Sequence, residues 1–303
     1  MSSSLSEKIF RTILGAFGVF IVLLMFSVAI FLTVGAWPVI RHGLSDFVQT
    51  QTWNPVNGQF GALAVLFGTL VSSSIAIAIA APLGVGAAIF LKELAPARVA
   101  SVFSFLIEML AAVPSVIFGL WGFFVLAPAI RDHVAPIFYP LGEYVPIFRG
   151  PSYGVGILTA GVVLALMILP TMAAIVREIF SAVPQHQREA ALGLGSTRWE
   201  AVRVAVLAPS KPGILSAAVL ATARALGETM AVTMVIGNRN AVSLSLFDPG
   251  QSMASLIANE YAEASDSRHI AALMAVGLLL LVISLVVNAV ARIIAKRSAA
   301  KWK

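Results

Sequence analysis

Cysteine is absent from all 303 residues. Disulfides, thiolate metal sites and cysteine nucleophiles are therefore excluded. Charge is scarce: 11% of residues are Asp, Glu, Lys or Arg, against about 25% in an ordinary soluble domain. The four histidines, His42, His133, His186 and His269, are scattered over loops without metal-ligand spacing. No phosphate-binding G-x-x-x-x-G-K-S/T loop occurs. Gly84-Val85-Gly86 and Gly193-Leu194-Gly195 complete no dinucleotide fingerprint, and no Ser-His-Asp arrangement is evident. The expectation is a chain with no catalytic residues, no cofactor and no metal, hence not an enzyme.

What the chain has is apolar surface. Hydrophobic residues make up 59%, and the mean hydropathy is +0.94. One soluble domain of this length could not hide so much apolar area from water. Disorder is excluded because low hydropathy is its signature. The net charge of +6 is read as loop charge on the cytoplasmic side of a membrane rather than as a nucleic-acid surface.

A spanning helix needs roughly 20 mostly apolar residues. Six segments qualify, at about 13–36, 61–90, 100–128, 154–176, 213–236 and 270–291. The uncharged run from Thr12 to Ile40 is too long for the apolar part of a signal peptide and reads as an uncleaved first helix. The polar loop Arg41 to Gln59 separates it from the other five. Placing both termini inside puts Lys8, Arg11, Lys92, Arg98, Arg177, Arg188, Arg198, Arg203, Lys211, Arg292, Lys296, Arg297, Lys301 and Lys303 on the cytoplasmic side. Only Arg41, Arg131, Arg149, Arg239 and Arg268 fall outside, as the positive-inside rule requires. The expected organisation is 1–60, a helix and outer loop; 61–292, a five-helix core with an inner loop at 177–211; and 293–303, a basic tail.

The inner loop is patterned. Pro184 suits a helix start, and Gln185 to Leu192 is helix-permissive. Gly193 and Gly195 end that run. Thr197 and Glu200 form a capping box for a second helix, with Trp199, Val202 and Val206 along one face. A helix–turn–helix at the membrane surface is expected. Glu189-Ala190-Ala191-x3-Gly195 resembles the EAA loop of ABC-importer permeases. Its usual hydrophobic-x-Leu-Pro ending is represented by Ala205-Val206-Leu207-Ala208-Pro209, with the proline one place late. The resemblance implies that Glu189, Ala190, Ala191 and Gly195 belong to a coupling helix that docks on a cytoplasmic ATPase.

Arg224 falls midway along the fifth span, where an arginine costs roughly 2.5–3.5 kcal/mol on insertion scales. Glu228, four residues on, shares its helix face and is expected to pair with it. Ala217, Ala221 and Ala231 lie near that face, and Thr222, Thr229 and Thr233 lie nearly opposite. The pair reads either as a structural salt bridge or as an anion site, since a guanidinium matches phosphate or carboxylate oxygens. Glu108, in the third segment, is read as structural. Ser72-Ser73-Ser74 offers hydroxyls to neighbouring helices, and Pro82, Pro114 and Pro170 are expected kinks. Residues 252 to 264 read as a short outer helix whose acids and Tyr261 either meet a partner or are solvated.

The run from Arg224 to Asn238 resembles the permeases of phosphate ABC importers, most closely the PstC type. Gly58-Gln59-Phe60-Gly61, Val113-Pro114-Ser115-Val116-Ile117-Phe118-Gly119 and Ser255-Leu256-Ile257-Ala258-Asn259-Glu260 share the likeness, which covers about 55–292. It implies an all-α type I importer (MetI-like) fold in the bacterial inner membrane. It also implies a heterodimer with a PstA-type permease, two PstB-type ATPase subunits and a periplasmic phosphate-binding protein. Arg224 and Glu228 would match the family's intramembrane residues linked to phosphate passage. Two other readings stay open: a permease of this fold for sulfate or molybdate, and an autonomous ion-coupled transporter.

Overall fold

A computed structural model describes residues 5–300. Lys301 and Lys303, and the side chains of Lys8 and Arg297, lie outside the described residues. Regular structure among the described residues is helical, apart from an isolated bridge between Asn54 and Gln59. Six helices are long and apolar enough to cross a membrane.

Helix α1, Leu5–Gln49, is one long helix interrupted only at Gly43 (φ 128°). It therefore continues past the expected end of the first span, into the stretch read as a polar loop. Helix α2 spans Leu63–Leu94, its last turn Phe90–Leu94 widened to π geometry. Helix α5, Ile157–Ser181, and helix α10, Ser267–Ala300, agree with the fourth and sixth expected spans.

The third and fifth spans differ from expectation. The third apolar segment is divided. Helix α3, Ala97–Ala111, buries no residue, and the spanning helix is α4, Ser115–Glu143. Pro114 is extended between them (ψ 141°); its ring and missing amide stop a helix that hydropathy alone would carry through. The fifth span is displaced. Helix α7 runs unbroken over Arg198–Leu226, so the second arm of the inner loop is the start of that span rather than a separate surface helix. Thr197 caps it through the expected box with Glu200. The π turn Val202–Leu207 precedes Pro209 and Pro212, which lack amides and would otherwise disturb a regular ladder. Helix α6, Gln185–Gly193, forms the first arm. Of the expected apolar face, Val202 and Val206 are buried, but Trp199 is 54% exposed.

Helix α5 is the hub. Leu164, Ile168, Met172, Val176 and Phe180 repeat every four residues and are buried against α2 and α7. The facing stripes are small: Ala76, Ala80, Gly84 and Ala88 on α2, and Ala217, Ala221 and Ala225 on α7. Small residues let backbones approach closely where lipid supplies no hydrophobic drive. A second cluster joins α1 to α10 through Ala36, Ala272 and Val276.

After α7 come a short helix α8, Met230–Val235, and a folded outer segment that leads into α9, Met253–Glu260. This segment pairs its own ends, Arg239 N–H to the Gly250 carbonyl and Gly250 N–H to that of Ile236. It then packs on α2, where the Thr69 hydroxyl accepts from Met253 N–H at 2.8 Å. Glu260 is engaged internally, accepting from Trp53 Nε1 at 2.7 Å and lying 2.8 Å from His269 Nε2. Ser72 and Ser74 hydrogen-bond carbonyls of their own helix rather than a neighbour's.

A Cβ at Gly68 would collide with the Gln251 carbonyl oxygen, so this glycine sets the α2–outer-segment contact. Gly68→Ala is expected to cost about 1–3 kcal/mol through overpacking and to lower the thermal midpoint of the detergent-purified protein. An unchanged midpoint would show that the contact yields freely.

Candidate functional site

The two residues expected to line a pathway, Arg224 and Glu228, lie at the break that ends a spanning helix. Helix α7 ends at Leu226, Gly227 caps it, and α8 restarts at Met230. Arg224 and Glu228 are therefore not on one continuous helix face. The expected ion pair is absent; no Arg224–Glu228 bridge forms among the described residues. Glu228 instead turns back, and its Oε1 accepts from Ala231 N–H at 3.3 Å. Arg224 Nη1 donates to Thr171 Oγ1 of α5 at 3.0 Å. The reason is backbone geometry: an i, i+4 contact needs the intervening turn, and residues 227–229 leave the helical ladder.

Thr171 was not singled out in the sequence. A threonine after a proline gives no signal there; only the packing of α5 on α7 brings it to the guanidinium. Of the two uses open to the three alanines, room beside the guanidinium or close approach of another helix, the packing shows the second. Ala217, Ala221 and Ala231 are buried in the helix core, while Arg224 lies exposed on the open side. The hydroxyls of Thr222 and Thr233 are spent on their own helix.

A second break stands beside the first. Helices α3 and α4 are separated at 112–114, and α4 runs parallel to α8. A Cβ at Gly119 would meet Ala231 Cα at 3.0 Å, and one at Gly122 would meet Val235 Cγ1 at 3.0 Å. Gly119 is the fifth residue of α4 and Ala231 the second of α8, so each helix begins within about one turn of this contact. Arg224 stands two residues before the end of the spanning helix α7, with the short apolar helix α8 beyond the break.

The inner element is built separately. Glu189 and Ala190 are exposed, and Ala191 is half-buried. Gly195 holds φ +84° with open space around it, a backbone setting that disfavours any side chain. Leu194 is 90% exposed. Arg188, missed in the sequence reading, anchors this element. It donates to Glu93 at the end of α2 (2.8 Å) and to the carbonyls of Phe180 (2.7 Å) and Val183 (2.6 Å) at the end of α5. Glu108 pairs with Arg177 at 2.8 Å, which ties α3 to the inner end of α5 and supports its structural reading.

These features define a class. Residues 80–299 match the family described as "Binding-protein-dependent transport system inner membrane component", and the chain belongs to that family. It is a multi-pass inner-membrane protein. Among known relatives, it is 42% identical to the phosphate transport system permease protein PstC of Mesorhizobium japonicum, over 95% of this chain and 90% of that protein. It is 41% identical to PstC of Haemophilus influenzae, over 95% and 92%. The fold is shared with the inward-facing MetNI methionine ABC transporter: TM-score 0.57 at 18% identity, over 82% of this chain and 99% of that one.

The Arg188 anchor can be measured. Arg188→Gln and Glu93→Gln are each expected to raise amide deuterium uptake across 185–196, with the double substitution adding little to either single one. Uptake equal to wild type in both would remove the anchor.

Proposed function

We propose that this chain is one of two membrane-spanning subunits of an ATP-driven phosphate importer, paired with a PstA-type permease. Two PstB-type ATPase subunits supply the energy, and a periplasmic phosphate-binding protein delivers the substrate. The observation that carries the reading is Arg224: a guanidinium inside a membrane-spanning stretch, on an exposed face, just before its helix breaks.

A charge there must face protein or water. Its single neutral partner, Thr171, leaves most of its N–H donors free for an anion. Phosphate oxygens match that planar fork. The break at 227–229 supplies polar backbone beside the same spot, which membranes tolerate only where it is covered by protein or lines a cavity. Glu228 places a carboxylate within that break, which opposes retention of an anion there. Binding stays modest, as passage requires.

Coupling runs through the inner element. Glu189, Ala190, Ala191 and Gly195 belong to the surface that meets the ATPase, and Arg188 joins that surface to α2 and α5. A displacement of α6 is thereby passed to the helix that carries Thr171. The second arm of the element is the beginning of α7, which carries Arg224 near its other end, so one continuous rod joins the ATPase face to the anion contact.

Phosphate uptake in cells relying on this transporter tests the site. Arg224→Gln is expected to abolish uptake while the complex still assembles. Thr171→Val, which keeps the shape and removes the acceptor, is expected to reduce uptake several-fold with the complex intact. Wild-type uptake by the Arg224 variant would remove it from the pathway, and an ATPase stimulated by sulfate-loaded rather than phosphate-loaded binding protein would overturn the substrate. Gly195→Asp forces a side chain into left-handed backbone, about 1–2 kcal/mol of strain. It is expected to abolish ATPase association; normal association and uptake would refute the docking role.

A further inference from the structure

On the cytoplasmic half of the molecule, α7 and α10 diverge and leave a cleft of about 400 Å³. Its walls are Val219 and Leu220 on α7 and Ala291 and Ala295 on α10. Its polar rim is Asn288, Arg292 and Lys296, spaced four residues apart on one face of α10. Arg292 is the first charged residue after the apolar run of α10, so the rim lies where hydrocarbon gives way to headgroups. The α7 wall agrees: Ser216 stands five residues, about 8 Å, beyond Lys211, the last charged residue before the apolar stretch of α7. Neither Arg292 nor Lys296 has a carboxylate within salt-bridge distance among the described residues, whose ion pairs all lie elsewhere. Asn288 Nδ2 is occupied by the Ser284 carbonyl, so the two cations are the groups that remain to be satisfied.

We infer that this cleft binds an anionic phospholipid of the inner leaflet, its phosphate held by Arg292 and Lys296 and one acyl chain laid along Val219, Leu220 and Ala291. The chemistry is complementary at both ends. An apolar slot open to the bilayer takes a hydrocarbon chain, and two cations at the headgroup level take the negative charge. A zwitterionic lipid would fill the slot but leave both cations without a net counter-charge. A free phosphate would meet the cations but leave the slot empty. The bound lipid braces the cytoplasmic half of α7, the helix that holds the Thr197 cap at one end and Arg224 at the other.

Native mass spectrometry of the full-length chain within its detergent-purified complex tests this, with phosphatidylglycerol, phosphatidylcholine and glycerol phosphate as probes. Phosphatidylglycerol is expected to bind at least tenfold more tightly than phosphatidylcholine, with glycerol phosphate failing to compete. Each basic residue near the membrane surface contributes about fivefold, so Arg292→Gln with Lys296→Gln should weaken phosphatidylglycerol binding roughly 25-fold. Ala291→Trp, which fills the slot and keeps both charges, should weaken both lipids. Lys92→Gln with Arg98→Gln removes inner-side charge away from the cleft and should leave binding unchanged. Equal binding of the two phospholipids, or an equal loss in the Lys92/Arg98 variant, would overturn the site in favour of general surface attraction. Competition by glycerol phosphate would reduce it to a simple anion contact.

Discussion

A single electrostatic constraint organises the proposed function: Arg224 falls within a membrane-spanning stretch, on a face that its own chain leaves open. Hydrocarbon cannot solvate a guanidinium, and one threonine hydroxyl at 3.0 Å satisfies a small part of it. The remainder must come from water, an anion or a second protein. The open face is thus incomplete by physical necessity, and the proposed permease partner and passing phosphate are what would complete it.

The helix interruptions follow the same logic. Unpaired peptide groups within a membrane would be expensive against lipid. Here Glu228 and Thr229 return hydrogen bonds to the second break, and Gly119 and Gly122 bring α4 hard against α8. The second break thus sets polar backbone next to Arg224. Elsewhere the opposite holds: the stripes facing α5 are alanine and glycine, and packing there is dry and close.

The inner element shows how little material a mechanical connection needs. Arg188 and Glu93 form a largely buried pair that bridges α6 to α2, while two carbonyls at the end of α5 take two more of its donors. An arginine suits this position because its rigid fork can serve several acceptors at once. In the proposed mechanism this cluster and the continuous α7 rod are parallel routes from the ATPase face to Arg224.

The sequence alone determined much of this. Hydrophobic runs specified the number of spans, with the third and fifth displaced along the chain, because lipid rewards apolar length; the asymmetry of Lys and Arg gave the expected direction. The capping box at Thr197 and the glycine at 195 were legible because each is a local backbone requirement. Where Pro114 and residues 227–229 interrupt their helices was not legible, since a hydropathy window averages over a broken turn. The Arg224–Glu228 pair failed for that reason: the i, i+4 rule assumes a helix that the fold does not keep. Thr171, and the link from Arg188 to Glu93, were decided only by tertiary structure. Their partners are far apart in the chain, and nothing in local sequence encodes which helices pack side by side.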